Sequence, residues 1–465
     1  MVIAAVSAAP TAAAASKLPV TRLIRILPGC GQTPRVPRGR RTTLVKFPNG
    51  DSRPARETSQ GSFRFRAAFV RLPAQMTRPT SRPAIPPLLK HMNERTVLET
   101  IRQGAPISRA EISRRAGISK PTVSLALQSL LKAGLVRETA PDPGRPSYGA
   151  VYFEPAAEAA FVLGFDLGAR FLRGAACDLA GEVRAREDVE LPSTDAETAI
   201  ETIAALRTSL VEETELPEEL IDGVVVGVPG VVEPDTGRIN LAENVPGLEE
   251  RPFDAELQER LGLSVTLEND VNLAALGEHW RGVARGVDDF AFLSVGTGMG
   301  AGVVLRGELH RGHHGAAGEI DFALSGLHAE LDPSAAGVAA LAERLAAARR
   351  LATPYDTRTL FAEARGGDRV AREVVEEVAR RIALHVAPIC AVADVALVVL
   401  GGGLGANEDL LLAPVRRLLG SWLPYPPRVE VSSLGEAAVL TGALAVGLRS
   451  ALDSVFLNRA GAVPA

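Results

Sequence analysis

Two glycine-bearing turns and a few acids at strand ends hold the residues that could do chemistry in this 465-residue chain. The first turn is Asp166-Leu167-Gly168-Ala169-Arg170, reached by an apolar run from Val162 and followed by a second run toward Asp178. A carboxylate at the tip of a buried strand, beside a glycine turn, suits a metal or a nucleotide phosphate. Ala169 and Arg170 do not suit that job, and how they are used decides between an enzyme and a sensor. The second turn is Gly296-Thr297-Gly298-Met299-Gly300. Its glycines let backbone amides approach phosphate oxygens, and Thr297 adds a hydroxyl. Gly401-Gly402-Gly403 would let an adenine or ribose lie against backbone. Asn269-Asp270 ends another apolar run, where a carboxylate can accept a hydroxyl proton or a hydrogen bond from a sugar. Asn244 offers an amide that both donates and accepts, and Glu319 is a further acceptor on a glycine-rich loop. Each residue alone also fits a turn or a cap. Their recurrence at strand ends of one body favours a site.

The elements that must position them follow an α/β pattern. Apolar runs at 221–229, 263–267, 290–295 and 395–400 predict buried strands, and 335–351 and 369–386 predict long amphipathic helices. Stretches 164–178 and 294–308 share one plan of strand, glycine turn and strand. That predicts a duplicated, two-lobed fold with a cleft between the lobes.

Charge divides the chain differently. Residues 1–75 carry thirteen Lys/Arg against two Asp/Glu, and 76–150 carry twelve against five. The remainder is strongly acidic, since the whole chain nets −4. A basic module on an acidic body points to nucleic acid for the first and a small ligand for the second. Residues 1–75, rich in Ala, Arg and Pro, are expected to be a disordered extension resembling a transit peptide in composition, outside the working protein if translation starts at Met76. Cys30, Cys177 and Cys390 are far apart, which fits a reducing cytoplasm better than a disulfide framework. No apolar run free of charges reaches membrane-spanning length, so no membrane partner is expected.

Residues 86–154 predict a winged helix-turn-helix domain. Asn93 could cap a first helix that Gly104 closes. Ser108-Arg109-Ala110-Glu111 has the form of a capping box, Gly117 allows the turn, and Ser119 caps a third helix with Pro121 in its first turn. Val123, Leu127, Leu130 and Leu131 form that helix's apolar stripe. Ser119, Lys120, Thr122 and Ser124 at its front would reach base edges or phosphates. Leu135 to Glu138 and Ala150 to Phe153 predict two strands around a rigid wing tip, where Arg145 would meet a minor groove or phosphate.

The order of Asp166-Leu167-Gly168, Gly227-Val228-Pro229-Gly230, Asn244-Val245-Pro246-Gly247, Glu268-Asn269-Asp270-Val271-Asn272, Gly296-Thr297-Gly298-Met299-Gly300 and His314-Gly315-Ala316-Ala317-Gly318-Glu319 resembles the ROK family of repressors, open reading frames and sugar kinases. The resemblance implies the actin-like, ribonuclease-H-like ATPase fold over 160–450. With a winged head carrying Gly144-Arg145-Pro146, it is similar to the family's regulator branch, the xylose and N-acetylglucosamine repressor type. It implies that Asp270 is the base that would take a sugar hydroxyl proton, and that Asn244, Asn269, Asp270 and Glu319 contact sugar. It implies that Asp166, Gly168, Gly296, Thr297, Gly298 and Gly300 flank phosphates, and that Gly402 and Gly403 flank adenosine.

The departures bear on activity. Family kinases read Asp-x-Gly-Gly-Thr where this chain has Ala169-Arg170, so a Cβ is expected to crowd the turn and a long cation replaces a hydroxyl. Phosphoryl transfer is mostly positioning and electrostatics, which makes a displaced cradle expensive. The family's zinc-binding cysteines have no counterpart in 325–336, and Asp321-Phe322 stands where a His ligand is expected. No structural zinc and no working ATP/Mg site are expected. The sequence therefore predicts a cytoplasmic, DNA-binding regulator of carbohydrate metabolism, a repressor acting as a homodimer or higher oligomer on operator DNA with a sugar effector. The alternative is an ATP-dependent sugar kinase with a DNA-binding head.

Overall fold

The computed structural model describes residues 86–140, 150–242, 245–249, 251–324, 331–349 and 356–460. The extension 1–75, the wing tip with Arg145, and Asn244 lie outside them.

Caps set the helices of the head. Helix α1 (Pro86–Gly104) begins at a proline, whose missing N–H leaves no orphan donor at a helix start. The expected cap at Asn93 is therefore not formed, and Asn93 lies inside the helix. Ser108 caps α2 (Arg109–Ala116) by accepting from the Glu111 amide at 3.4 Å. The reciprocal half of the capping box is missing, because Arg114 and Arg115 take the Glu111 carboxylate at 2.9 and 2.7 Å. Gly117 turns the chain at φ 65°, and Ser119 caps α3 (Lys120–Lys132) through the Thr122 amide. Val123, Ala126, Leu127 and Leu130 are buried on α3. Leu131 is only partly buried at the core's edge, because Ala126 fills the stripe. Strands β2 (Val136–Thr139) and β3 (Tyr152–Pro155) pair antiparallel, and β3 also pairs with β1 (Ile107–Ser108). The second predicted strand thus starts two residues later, and a third joins it.

Among the described residues, the body contains two five-stranded sheets of one design. In the first, β4 (Phe161–Leu167), β5 (Phe171–Asp178) and β6 (Val183–Glu190) form an antiparallel meander. Strand β4 then pairs in parallel with β7 (Ile221–Val228), and β7 with β10 (Val265–Asn269). The short hairpin of β8 (Val231–Val232) and β9 (Ile239–Asn240) follows β7. In the second sheet, β11 (Phe290–Val295), β12 (Met299–Leu305) and β13 (Glu308–Leu309) form the meander. Strand β11 then pairs in parallel with β14 (Leu397–Gly401), and β14 with β15 (Arg428–Val431). Matching strand order and direction give the duplicated plan. Helices α4 (Ala196–Thr214) and α5 (Phe253–Leu261) pack with the first sheet. Helices at 335–349, 357–366, 369–393 and 408–422 build the second lobe's main core.

Two helices lie between the sheets. Helix α6 (Asp270–Arg281) rests on β11 and β12, and the C-terminal helix Ala438–Ala460 rests on β4 and β7. They cross closely because glycines face backbone: a Cβ on Gly277 would overlap the Ala438 carbonyl, and one on Gly442 the Leu273 carbonyl. The stretch Gly435–Leu452 is long and apolar enough to cross a membrane by length and composition, but half of it is buried inside the body. Its far end reaches the head, where Leu452 and Leu179 of the body join Val97, Leu98, Ile101 and Leu127 in one apolar cluster.

Candidate functional site

The cleft floor is built where β10 becomes α6. Asn269 caps α6, its Oδ1 accepting from the Asn272 amide at 2.9 Å. Its Nδ2 donates to the Gly230 carbonyl at 2.9 Å and to Asp270 Oδ1 at 3.2 Å. With both amide protons used, Asn269 orients Asp270 and ties α6 to the turn after β7. Asp270 Oδ1 also accepts from the Val271 amide at 2.8 Å. Its Oδ2 has no hydrogen-bond partner among the described residues, which leaves one oxygen for a ligand hydroxyl.

Three acids converge here. Burial pushes the Asp270 carboxyl up to about 6, aided by the charge of Glu319. Burial pushes Asp166 up to about 7, with Asp270 as the next cause. Glu319 is raised by burial and then by Asp321. Apposed carboxylates in a partly dry cleft hold protons more tightly. Asp270 remains mostly ionised at neutral pH and so could serve as a base or as an acceptor for a sugar hydroxyl.

Glu268, which sequence reasoning passed over, holds the floor to the second lobe. It is 5% exposed and spends one oxygen on the Asn269 amide and Asn272 Nδ2, both at 2.9 Å. The other oxygen meets Arg311 at 2.8 Å. Arg311 begins the loop that ends in Glu319, with its carbonyl accepting from the Ala317 amide at 3.1 Å. A partner 43 residues away has no local signal.

The second-lobe glycines separate into two kinds. Gly296, Thr297 and Gly298 form the tight turn between β11 and β12, closed by Gly296 N–H to the Gly298 carbonyl at 2.9 Å. Thr297 and Gly298 are exposed. Gly403 lies opposite, its nitrogen 3.6 Å from where a Gly296 Cβ would be. Gly402 has φ 76°, and a Cβ there would meet the Val295 carbonyl at 2.5 Å. Gly300 belongs to β12 and makes room for Val271 of α6, 3.3 Å from its missing Cβ. Its missing side chain thus serves close packing of α6 on β12.

The first-lobe turn is different. Gly168 closes it by donating to the Phe171 carbonyl at 3.0 Å. Ala169 is exposed and has no left-handed backbone, so its Cβ does not crowd the turn, contrary to expectation. Arg170 pairs with Glu190 at 2.9 Å and stacks on Phe171. The cation that governs the turn is Arg173. Register places it opposite Asp166 on one side and Asp188 on the other. Its guanidinium lies 3.3 Å from Asp166, 3.6 Å from Asp188 and 2.9 Å from Glu436. Asp166 therefore carries its own counter-charge, so these residues do not fit a metal–phosphate group on this side. The residues around Glu319 do not fit zinc either, since 318–336 contains no cysteine.

In the head, Ser119, Lys120 and Thr122 lie at the front of α3, as placed from sequence. The Ser119 and Thr122 hydroxyls bond each other at 2.8 Å, and Ser124 donates back to the Lys120 carbonyl at 2.9 Å.

Residues 162–449 match the family model described as ROK family. The chain belongs to the ROK family. Residues 91–146 of this ROK-family chain match the model described as MarR family. A protein of Caldicellulosiruptor bescii named xylose repressor is 27% identical over 79% of this chain and 98% of its own. A Halalkalibacterium halodurans glucokinase is 30% identical over 60% of this chain and 92% of its own. Among solved structures, a ROK family transcriptional regulator, homolog of the E. coli MLC protein, has a TM-score of 0.65 over 80% of this chain and 98% of its own, at 21% identity. The ROK hexokinase of Thermus thermophilus has a TM-score of 0.52 at 30% identity, over 61% of this chain and 96% of its own. The regulators share head and body, and the kinases share the body alone.

Proposed function

We propose that this ROK-family protein is a sugar-responsive transcriptional repressor whose body binds a sugar at Asp270, Glu319 and Asn244, with Asn269 holding Asp270 in place, and passes that event to the winged-helix head. The observation that carries this reading is the path of α6. Its first residue is Asp270 on the cleft floor. Its last turn holds Trp280, which meets the head, and Arg281, which packs on Trp280. The Arg102 guanidinium of α1 lies 5.9 Å from the Trp280 ring, and Arg281 lies 4.3 Å from it. Arg281 also donates to the Gly181 carbonyl at 2.5 Å, in the turn between β5 and β6. A twelve-residue helix spans about 18 Å and moves as one piece. Lobe closure on a sugar would shift both of its ends together and tilt the head.

Two heads in a homodimer would then leave register with half-sites about 34–36 Å apart on a palindromic operator. The protein acts in the cytoplasm, with neither zinc nor ATP needed for sensing. Relatives named xylose repressor make xylose the first sugar to try.

The test is operator affinity with and without sugar, in wild type and in Trp280→Ala. Wild type should show a coupling of about 5- to 100-fold. Trp280→Ala should still bind sugar and DNA, with the ratio near one. Flat operator affinity across a sugar panel in wild type would refute the reading.

A second reading, an active sugar kinase, rests on the open Asp270 oxygen and its proton affinity. Sugar-dependent ADP release that disappears in Asp270→Asn would establish it. The Arg173 arrangement supports the expectation that no turnover is seen.

A further inference from the structure

We propose that Leu125 and Gln128 are the base-reading residues of α3, with Leu125 seated on a thymine 5-methyl group and Gln128 paired to an adenine edge in a neighbouring base pair. The inference deepens the repressor reading and rests on it.

Helix α3 turns Val123, Ala126, Leu127 and Leu130 into the head. Leu125 points the other way and is 68% exposed, and Gln128 is exposed on the same face. An apolar side chain this bare has no folding role to explain it, since it takes no part in the head's core. The hydroxyls in front of it are already engaged. Ser119 and Thr122 are bonded to each other and to the cap, and Ser124 is bonded to the helix backbone. Lys120 remains as a point charge at the helix front, suited to phosphate. The Gln128 amide has no partner among the described residues.

The major groove offers one apolar feature, the thymine methyl, and glutamine matches the N6/N7 edge of adenine in two bonds. Leu125 and Gln128 are three residues apart on one face, about 4.5 Å along the helix, close to the ~3.4 Å step between base pairs. The face therefore suits adjacent A·T-containing pairs, with Lys120 fixing the helix on the backbone.

Full-length protein would be used to enrich a duplex from a random library. Binding to that duplex would be followed by fluorescence anisotropy, with single thymidines replaced by deoxyuridine, which removes only the 5-methyl group. At one position per half-site the replacement should weaken wild type about 3- to 5-fold, the worth of one buried methyl. Leu125→Ala should bind both duplexes equally, with melting temperature and salt slope unchanged. Gln128→Ala should lose about a tenfold preference for adenine at the adjacent pair. Wild type indifferent to every replacement, or Leu125→Ala that still discriminates, would overturn the assignment. Failure to enrich any duplex would overturn the repressor reading and this assignment with it.

Discussion

In both lobes a buried central strand folds back through a glycine, at Gly168 after β4 and at Gly296 and Gly298 after β11. The strand order around the two turns is the same. Around Gly296 the backbone is bare, and Gly402 and Gly403 approach it from the next strand. Around Gly168 the space is claimed by side chains, with Asp166 neutralised by Arg173 and Arg170 drawn to Glu190. The duplicated frame thus outlasts the use of either turn. What distinguishes them is whether the charge beside the glycine comes from the chain itself.

The contrast can be broken most forcefully in the second lobe. Gly402→Val puts a branched side chain at φ 76° against the Val295 carbonyl and should cost on the order of 3 kcal/mol or more, measured by denaturant unfolding. Arg173→Met, in the first lobe, strips Asp166 of its counter-charge. It should destabilise the protein by about 2–3 kcal/mol at pH 8.

The pH profile sharpens the point. Asp166 has a folded value of about 7, above its unfolded value near 3.8, so the folded state binds the proton more tightly. Its contribution favours folding at low pH and is lost as pH rises toward 7 and beyond. The Asp166 contribution should therefore fall between about pH 4 and 7, and Asp166→Asn should remove that fall, on the order of 4 kcal/mol. The Arg173→Met deficit should shrink at pH 5 for the same reason. Ala169→Gly should have the smallest effect, a loss under about 1 kcal/mol, because the turn already accepts a Cβ and glycine only adds unfolded-state freedom. A large gain in stability from Ala169→Gly would instead show a strained turn.

Local chemistry was legible in the sequence, and register was not. The Ser108 and Ser119 caps, the buried strand 290–295 and the paired strand–turn–strand plans follow from short-range patterns and are found where expected. The run of Glu268, Asn269 and Asp270 could be placed at a strand end, but the Asn269 amide proved to be spent on orienting Asp270. Arg173 was hidden because its partners are set by which residues face each other across β4, β5 and β6. Glu268 with Arg311, and Gly277 with Gly442, pair across distant segments. A glycine in mid-helix was the one local hint of the second pair. The packing of Gly300 against Val271 was also hidden, because a glycine for close packing and a glycine for a phosphate look alike in sequence.

Leu179 and Leu452 belong to the body yet complete the apolar core of the head. The head is therefore not an interchangeable cassette. A chimera joined near residue 155 would separate that core from five of its side chains, Ala156, Ala159, Ala160, Leu179 and Leu452, and a regulator given a new operator preference in this way would need matching residues at those positions. Recombination among such regulators would be constrained at this seam, and new operator preferences would arise more readily by substitution on the exposed face of α3.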